Sequence, residues 1–320
     1  MAIAIVSSII LSAAGGNNIT IPITAGATND IVVTWGGFAG GSATAPGVLG
    51  PAGFASVWVV DSAARDFKVE WKRLGATPDP SVLLANSGDA ADAVAYGAYV
   101  LRGVTTAVNP FDAVIKTSIA TGVPNAPSII TATNGAMVLA VGGNDINDAS
   151  PGVIIPFAAN MGASSNDSDD FSAAGAASII ATAGSIYPSV WTTWGSGAYV
   201  TATLALTPAT TPTVTSDSIT EITQTTATGD GNVTADGGSA ILERGFVWDV
   251  NANPTVDTDS HNNTVGTTGA YQSSLTSLSQ GTSYFSAAYA INAIGSVYGS
   301  DIQFSTNAPD ASTDWYFILQ

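Results

Sequence analysis

The chain of 320 residues is long enough for two ordinary domains, and 46% of it is hydrophobic, which excludes a wholly disordered protein. Only 10% of residues are charged, against about 25% in an average soluble domain, so Ser, Thr, Asn and Gly must cover much of the surface. Twenty-four acidic side chains against seven basic ones give a formal charge of −17, which argues against nucleic acid as a partner, and the lack of cysteine excludes disulfides, thiolate metal sites and a Cys nucleophile.

The apolar start, Met1 to Ala14, reads as a first β-strand rather than a secretion signal, because it has no basic n-region and Ser7 and Ser8 interrupt it. Short β-branched or aromatic runs follow at Ile31–Trp35, Ser56–Val60, Asp66–Trp71, Ala95–Leu101, Ala136–Val141 and Ala198–Leu206, separated by Gly, Pro, Asn and Asp clusters. Phe67, Val69 and Trp71 alternate with Lys68, Glu70 and Lys72, which predicts a strand with one wet face and Glu70 turned to solvent. Strong helix formers are rare, and no stretch reaches the ~18 uninterrupted apolar residues of a membrane helix, so membrane insertion is not expected.

The Pro- and Thr-rich run Thr207–Thr215 predicts an extended connection, placed at 208–213, between a first domain at 1–207 and a second at 214–307. The second carries runs at Ala240–Trp248, Ser283–Ile291 and Asp301–Ser305; about seven short strands in about 100 residues indicate an immunoglobulin-like sandwich. A tail at 308–320 ends in Trp315, Tyr316, Phe317, Ile318 and Leu319, behind a polar linker. An apolar group of that size is not expected to stay in water, and docking onto a neighbouring subunit is favoured over a return to its own domain.

Several residues of the second domain, Glu243–Trp248, Asn253-Pro254, Gly269–Leu278, Gln280–Tyr284 and Ala288–Gly299, carry a resemblance to the fibronectin type III-like modules of bacterial surface proteins and phage virion proteins. It implies that Leu278 and Tyr284 anchor a turn, that Tyr289 packs into the sandwich and that Gly295 allows the last hairpin; Trp248 stands where such modules often carry a smaller aromatic. In the first domain, Ala95–Asp112, Pro127–Ala140 and a closing strand at 198–206 resemble a jelly-roll domain of phage structural proteins and some secreted bacterial proteins. Its specific part runs from Leu101 through Thr106 to Asn109-Pro-Phe-Asp112, and it brings no catalytic residues with it.

The expected fold is therefore all-β, a jelly-roll-like β-sandwich followed by an immunoglobulin/fibronectin III-like β-sandwich. The resemblance implies a role in a particle or at a cell surface, and the leading expectation is a non-enzymatic bacteriophage virion structural protein, a capsid decoration, spike or tail accessory protein assembled in the host cytoplasm. Its expected partners are other virion proteins, further copies of itself, as in a trimer, and host surface glycan. A bacterial surface adhesin or carbohydrate-binding protein is the rival; it should carry an export signal. A glycan depolymerase stands behind both.

Site chemistry is sparse. The sole histidine, His261, falls in a polar loop, and no nucleophile–base motif accompanies it. A glycosidase needs two carboxylates about 5–9.5 Å apart, and Glu70, Glu221 and Glu243 are the only glutamates, although Asp can substitute. No cofactor is expected. For Ca²⁺ the best candidate is the loop carrying Asp167, Asp169 and Asp170, ahead of Asn144–Asp148 and of Asp257, Asp259 and His261, although Asp and Asn are also ordinary turn residues. Trp191 and Trp194 are the densest aromatic group. Three residues apart in a strand they would face opposite sides, which favours core or interface packing over a sugar-stacking platform.

Overall fold

The computed structural model describes residues 2–13, 19–23, 26–39, 53–62, 65–84, 93–145, 157, 159–165, 171–264 and 266–309. These residues form strands and no helix, and therefore no helix long and apolar enough to cross a membrane. They divide into two compact units, Met1–Pro208 and Ala209–Gln320, with the division inside the Pro- and Thr-rich run.

In the first half of the first unit the strands are β1 (Ala4–Ala13), β2 (Ile19–Pro22), β3 (Ile31–Ala39), β4 (Ala55–Ser62), β5 (Arg65–Arg73), β6 (Ser81–Leu84) and β7 (Ala93–Arg102). They make an antiparallel sheet in the order β1-β7-β3-β5-β4 and a separate pair, β2-β6. The pairs nest, β1 with β7, β2 with β6 and β3 with β5, as in a long hairpin rolled up on itself, which is the logic of a jelly roll.

The second half repeats that scheme strand for strand. With β8 (Lys116–Gly122), β9 (Ile129–Ile130), β10 (Ala136–Asn144), β11 (Ala159–Ser165), β12 (Phe171–Ile180), β13 (Ser185–Ile186) and β14 (Gly197–Leu206), the sheet runs β8-β14-β10-β12-β11, and β9 pairs with β13. Register is repeated as well: Gly37 faces Phe67 and Ala95, and Gly143, 106 positions later, faces Ala173 and Val200. The expected sandwich is present, but 1–207 holds two rolled hairpins rather than one jelly roll. Sequence pattern could not show this, because the halves share their pairing scheme and few side chains.

Alternation along the strands builds a layered core. Val33 and Trp35 on β3, Tyr99 on β7, Leu139 on β10 and Leu204 on β14 point into the cluster between the two sheets. The opposite faces are buried too: Val32, Tyr96 and Val100 pack under Ile19, Ile21, Val82 and Leu84 of the β2-β6 pair. Val138, Ala140 and Ala174 pack under Ile129, Trp191 and Trp194. At the centre, the Trp35 indole stacks on Tyr99 at 5.0 Å and is clamped between Gly97 and Gly175, where any Cβ would meet its ring.

This layering corrects the expectation for Glu70. It faces away from Val69 as the alternation requires, but it is 3% exposed and bound by Lys68 Nζ at 2.6 Å and Ser56 Oγ at 3.2 Å, because the outer face of its sheet is covered rather than wet.

The second unit packs β15 (Thr213–Thr220), β16 (Ala227–Ala235) and β19 (Gly269–Leu275) against β17 (Ile241–Asp249), β18 (Ser260–Thr264), β20 (Ser283–Asn292), β21 (Ser296–Tyr298) and β22 (Ile302–Ser305). The three-on-four arrangement, with β21 and β22 both along β20, is a fibronectin III-type sandwich around Phe246, Trp248, Leu275 and Ala288. Leu278 and Tyr284 are buried, and the Tyr284 hydroxyl accepts the Ser279 amide at 2.9 Å, fixing the turn into β20. Tyr289 is also buried, but on the other face of β20, with Val247 and Ala287, where its hydroxyl bonds Glu243 and the Asn262 carbonyl.

Candidate functional site

The most specific string of the sequence, Leu101–Asp112, leaves the end of β7 and leads to β8, so it joins the two halves of the first unit. Arg102 holds Asp30, only 2% exposed, by donating from Nε and Nη2 to its two carboxylate oxygens at 3.0 and 2.9 Å, and those contacts raise the guanidinium pKa further. Gly103, at φ +82°, turns the chain in the left-handed region. The Thr105 amide then donates to Thr207 O and the Thr207 amide to Pro110 O, both at 2.9 Å, which ties the string to the end of β14. Asn109 Oδ1 accepts the Phe111 amide at 3.1 Å, and the Phe111 ring meets Trp71 of β5 edge-on at 5.9 Å. Asp112 Oδ2 accepts the amides of Ala132 and Thr133 at 2.6 and 3.3 Å. These polar groups are spent on backbone and on one buried carboxylate. The string is a clasp between strands, and its chemistry is structural.

Trp191 and Trp194 are 0% and 2% exposed. They lie in the turn region between β13 and β14, not in a strand, and their rings meet edge to face at 5.0 Å inside one cluster. The Trp194 indole N–H donates to Ser172 Oγ at 2.7 Å. Both are core, and the sugar-stacking alternative for this pair is corrected on physical grounds: a buried ring has no face to offer. β9 and β13 are two residues each where β2 and β6 are four, and the two indoles supply the missing cover of the outer sheet face.

The Asp167, Asp169 and Asp170 loop and the Trp315, Tyr316, Phe317, Ile318 and Leu319 tail lie outside the described residues. In the other Asx-rich loop, Asn144 Nδ2 donates to Gly195 O at 2.9 Å and Asp145 Oδ1 accepts the Ala198 amide at 2.6 Å, so both fasten strand ends. Asp259 Oδ2 caps its own turn by accepting the Thr255 amide at 2.7 Å, and His261 Nδ1 lies 3.1 Å from Asp259 O. Glu221 accepts the Thr228 hydroxyl at 2.8 Å. Among the described residues no three His, Asp or Glu side chains converge as a metal site would require.

What sequence reading missed is an edge. β8 pairs with β14 on one side, and no described strand pairs with its other side. Ile119 in its middle is 60% exposed, and beside Lys116 opens a cleft of about 430 Å³ lined by Ala113, Val114, Ser128, Ile129 and Ile130. Eight of the eleven exposed large apolar side chains among the described residues fall between Val108 and Val190, in the second half of the unit. The small Thr, Ser and Ala around Ile119 gave the sequence no signal of it.

No family model matches the chain, and no curated protein does. Two solved structures of the sensor domain of the anti-sigma factor RsgI4 from Pseudobacteroides cellulosolvens align with 31% and 30% of the chain and with 98% and 76% of their own, at 21% and 20% identity and TM-scores of 0.25 and 0.24. The FN1–FN3 domains of chicken CNTN1 align over 92% of this chain and 99% of theirs, at 11% identity and a TM-score of 0.25. Likenesses this weak carry no argument. The sandwich architecture rests on the strand pairings themselves.

Proposed function

We propose that the protein is a non-enzymatic structural component of a bacteriophage particle, displayed at its surface as a capsid decoration, spike or tail accessory protein. The observation that carries the reading is the clasp: the residues that resemble phage structural proteins, Leu101–Asp112, join the two rolled hairpins, fastened to the first through Arg102–Asp30 and Phe111–Trp71 and to the second through Thr105–Thr207 and the Asp112 carboxylate. Residues devoted to fastening suit a scaffold whose task is to persist and present. The fibronectin III-type unit is the module it presents, toward other virion proteins or host glycan.

Immunogold electron microscopy with an antibody to residues 212–307, applied to particles and cells of the source culture, tests this. Regular gold on heads is the result expected of a decoration, and gold on tails that of a tail protein. Gold confined to cell envelopes would overturn the reading in favour of a surface adhesin.

A further inference from the structure

We propose that the edge of β8 with which no described strand pairs, and the cleft beside it, receive the segment Asp314–Leu319 of a second copy of this chain, added as a further strand. The inference rests on the reading of the chain as a self-assembling particle component, and it names the surface through which the copies join.

The internal duplication supplies the comparison. In the first half, β1 holds the edge position that β8 holds in the second. β1 packs partly buried apolar side chains on both faces, Ile5 and Ile10 against the central core and Val6, Ile9 and Leu11 against the outer layer. β8 pairs with β14 without a bulge, exposes Ile119 and has no proline. Proteins usually blunt such an edge with bulges, prolines or charges, because its unpaired N–H and C=O groups template strand addition. The one charge on β8 is Lys116, at its end.

Charge and length select the occupant. Lys116 is the only basic residue between Arg102 and Arg244, and among the described residues no carboxylate lies within ion-pair distance of it. Copies of a chain of charge −17 repel one another, and an acidic group seated on such a cation offsets part of that repulsion locally. In the tail, Asp310 and Asp314 precede Trp315–Leu319, so a carboxylate adjoins apolar side chains, as the cleft places an ammonium beside Val114 and Ile130. Aromatic and β-branched residues suit a strand. Six extended residues span about 20 Å and the seven of β8 about 23 Å, at about 3.3 Å each.

The test uses the full chain in sedimentation velocity. Wild type should self-associate, and Lys116→Glu and Ile119→Lys should each weaken association by about tenfold or more. Both side chains are exposed, so the thermal melt should not move. Lys116→Glu combined with Asp314→Lys should restore association. An Ile119→Lys chain mixed with a Trp315→Asp chain, neither associating alone, should form a dimer in which one gives its tail and the other its edge. A monomeric wild type, single variants that associate like wild type, or a mixture that stays monomeric would overturn the proposal. Association through β8 by a protein that gold finds only on envelopes would sink the virion reading and leave the docking intact.

Discussion

Replacing Gly175 by alanine puts a methyl group against the Trp35 indole from across the sandwich, and the indole cannot retreat, because Gly97 meets the same ring atoms from the other side. Overpacking of this kind costs about 1–3 kcal/mol. For a unit of this size, 1 kcal/mol moves Tm by about 2–4 °C, so the first unit should melt about 2–12 °C lower. Differential scanning calorimetry of the full chain reads this directly, since only the transition of the first unit should shift. Trp35→Phe shortens the ring at the point of contact and removes an indole N–H that has no hydrogen-bond partner among the described residues. Gly175→Ala with Trp35→Phe should therefore be less destabilised than the two changes summed, by about 1 kcal/mol or more. A Gly175→Ala protein melting within about 1 °C of wild type, or strictly additive costs, would refute the clamp.

Trp194→Phe should cost about 1–3 kcal/mol by leaving the buried Ser172 hydroxyl without its indole donor, and Trp191→Ala about 3–5 kcal/mol. Binding on a glycan array should be unchanged in either while the fold holds; lost binding at an unchanged Tm would contradict the burial. Alkali should unfold the protein for a definite reason. Burial pushes the Tyr271 hydroxyl up to about 12, raises Tyr99 as well, and with Glu243 raises Tyr289. The unfolded chain releases these protons near the ordinary value of about 10. The stability they contribute is thus intact below that pH and lost as pH rises through the folded values. Denaturant titrations at rising pH should show it, and a flat profile would count against the three buried hydroxyls.

Local pattern determined what local physics controls. Short β-branched or aromatic runs between turn clusters located the strands at Ile31, Ala95, Ala136 and Ala198, and the seven-strand spacing of the second unit, with Leu278 and Tyr284 at its turn, was legible as a fibronectin III-type sandwich. Which face of a strand is wet was not legible: Glu70 alternates outward as read, yet the face it lies on is buried. The spacing of Trp191 and Trp194 reads as a strand but is a turn, while their burial in the core agrees with the packing that the sequence favoured. The string Leu101–Asp112 stood out in the sequence, but its role as a clasp emerged only with its partners Asp30, Ala132 and Thr207 in place. The duplication, and the edge of β8 with which no described strand pairs, belong wholly to the tertiary structure. Pairings such as Gly37 with Ala95 and Gly143 with Val200 join residues almost sixty positions apart, and a short-range hydrophobic pattern says that a strand has a buried face without saying which strand, or which copy of the chain, will bury it.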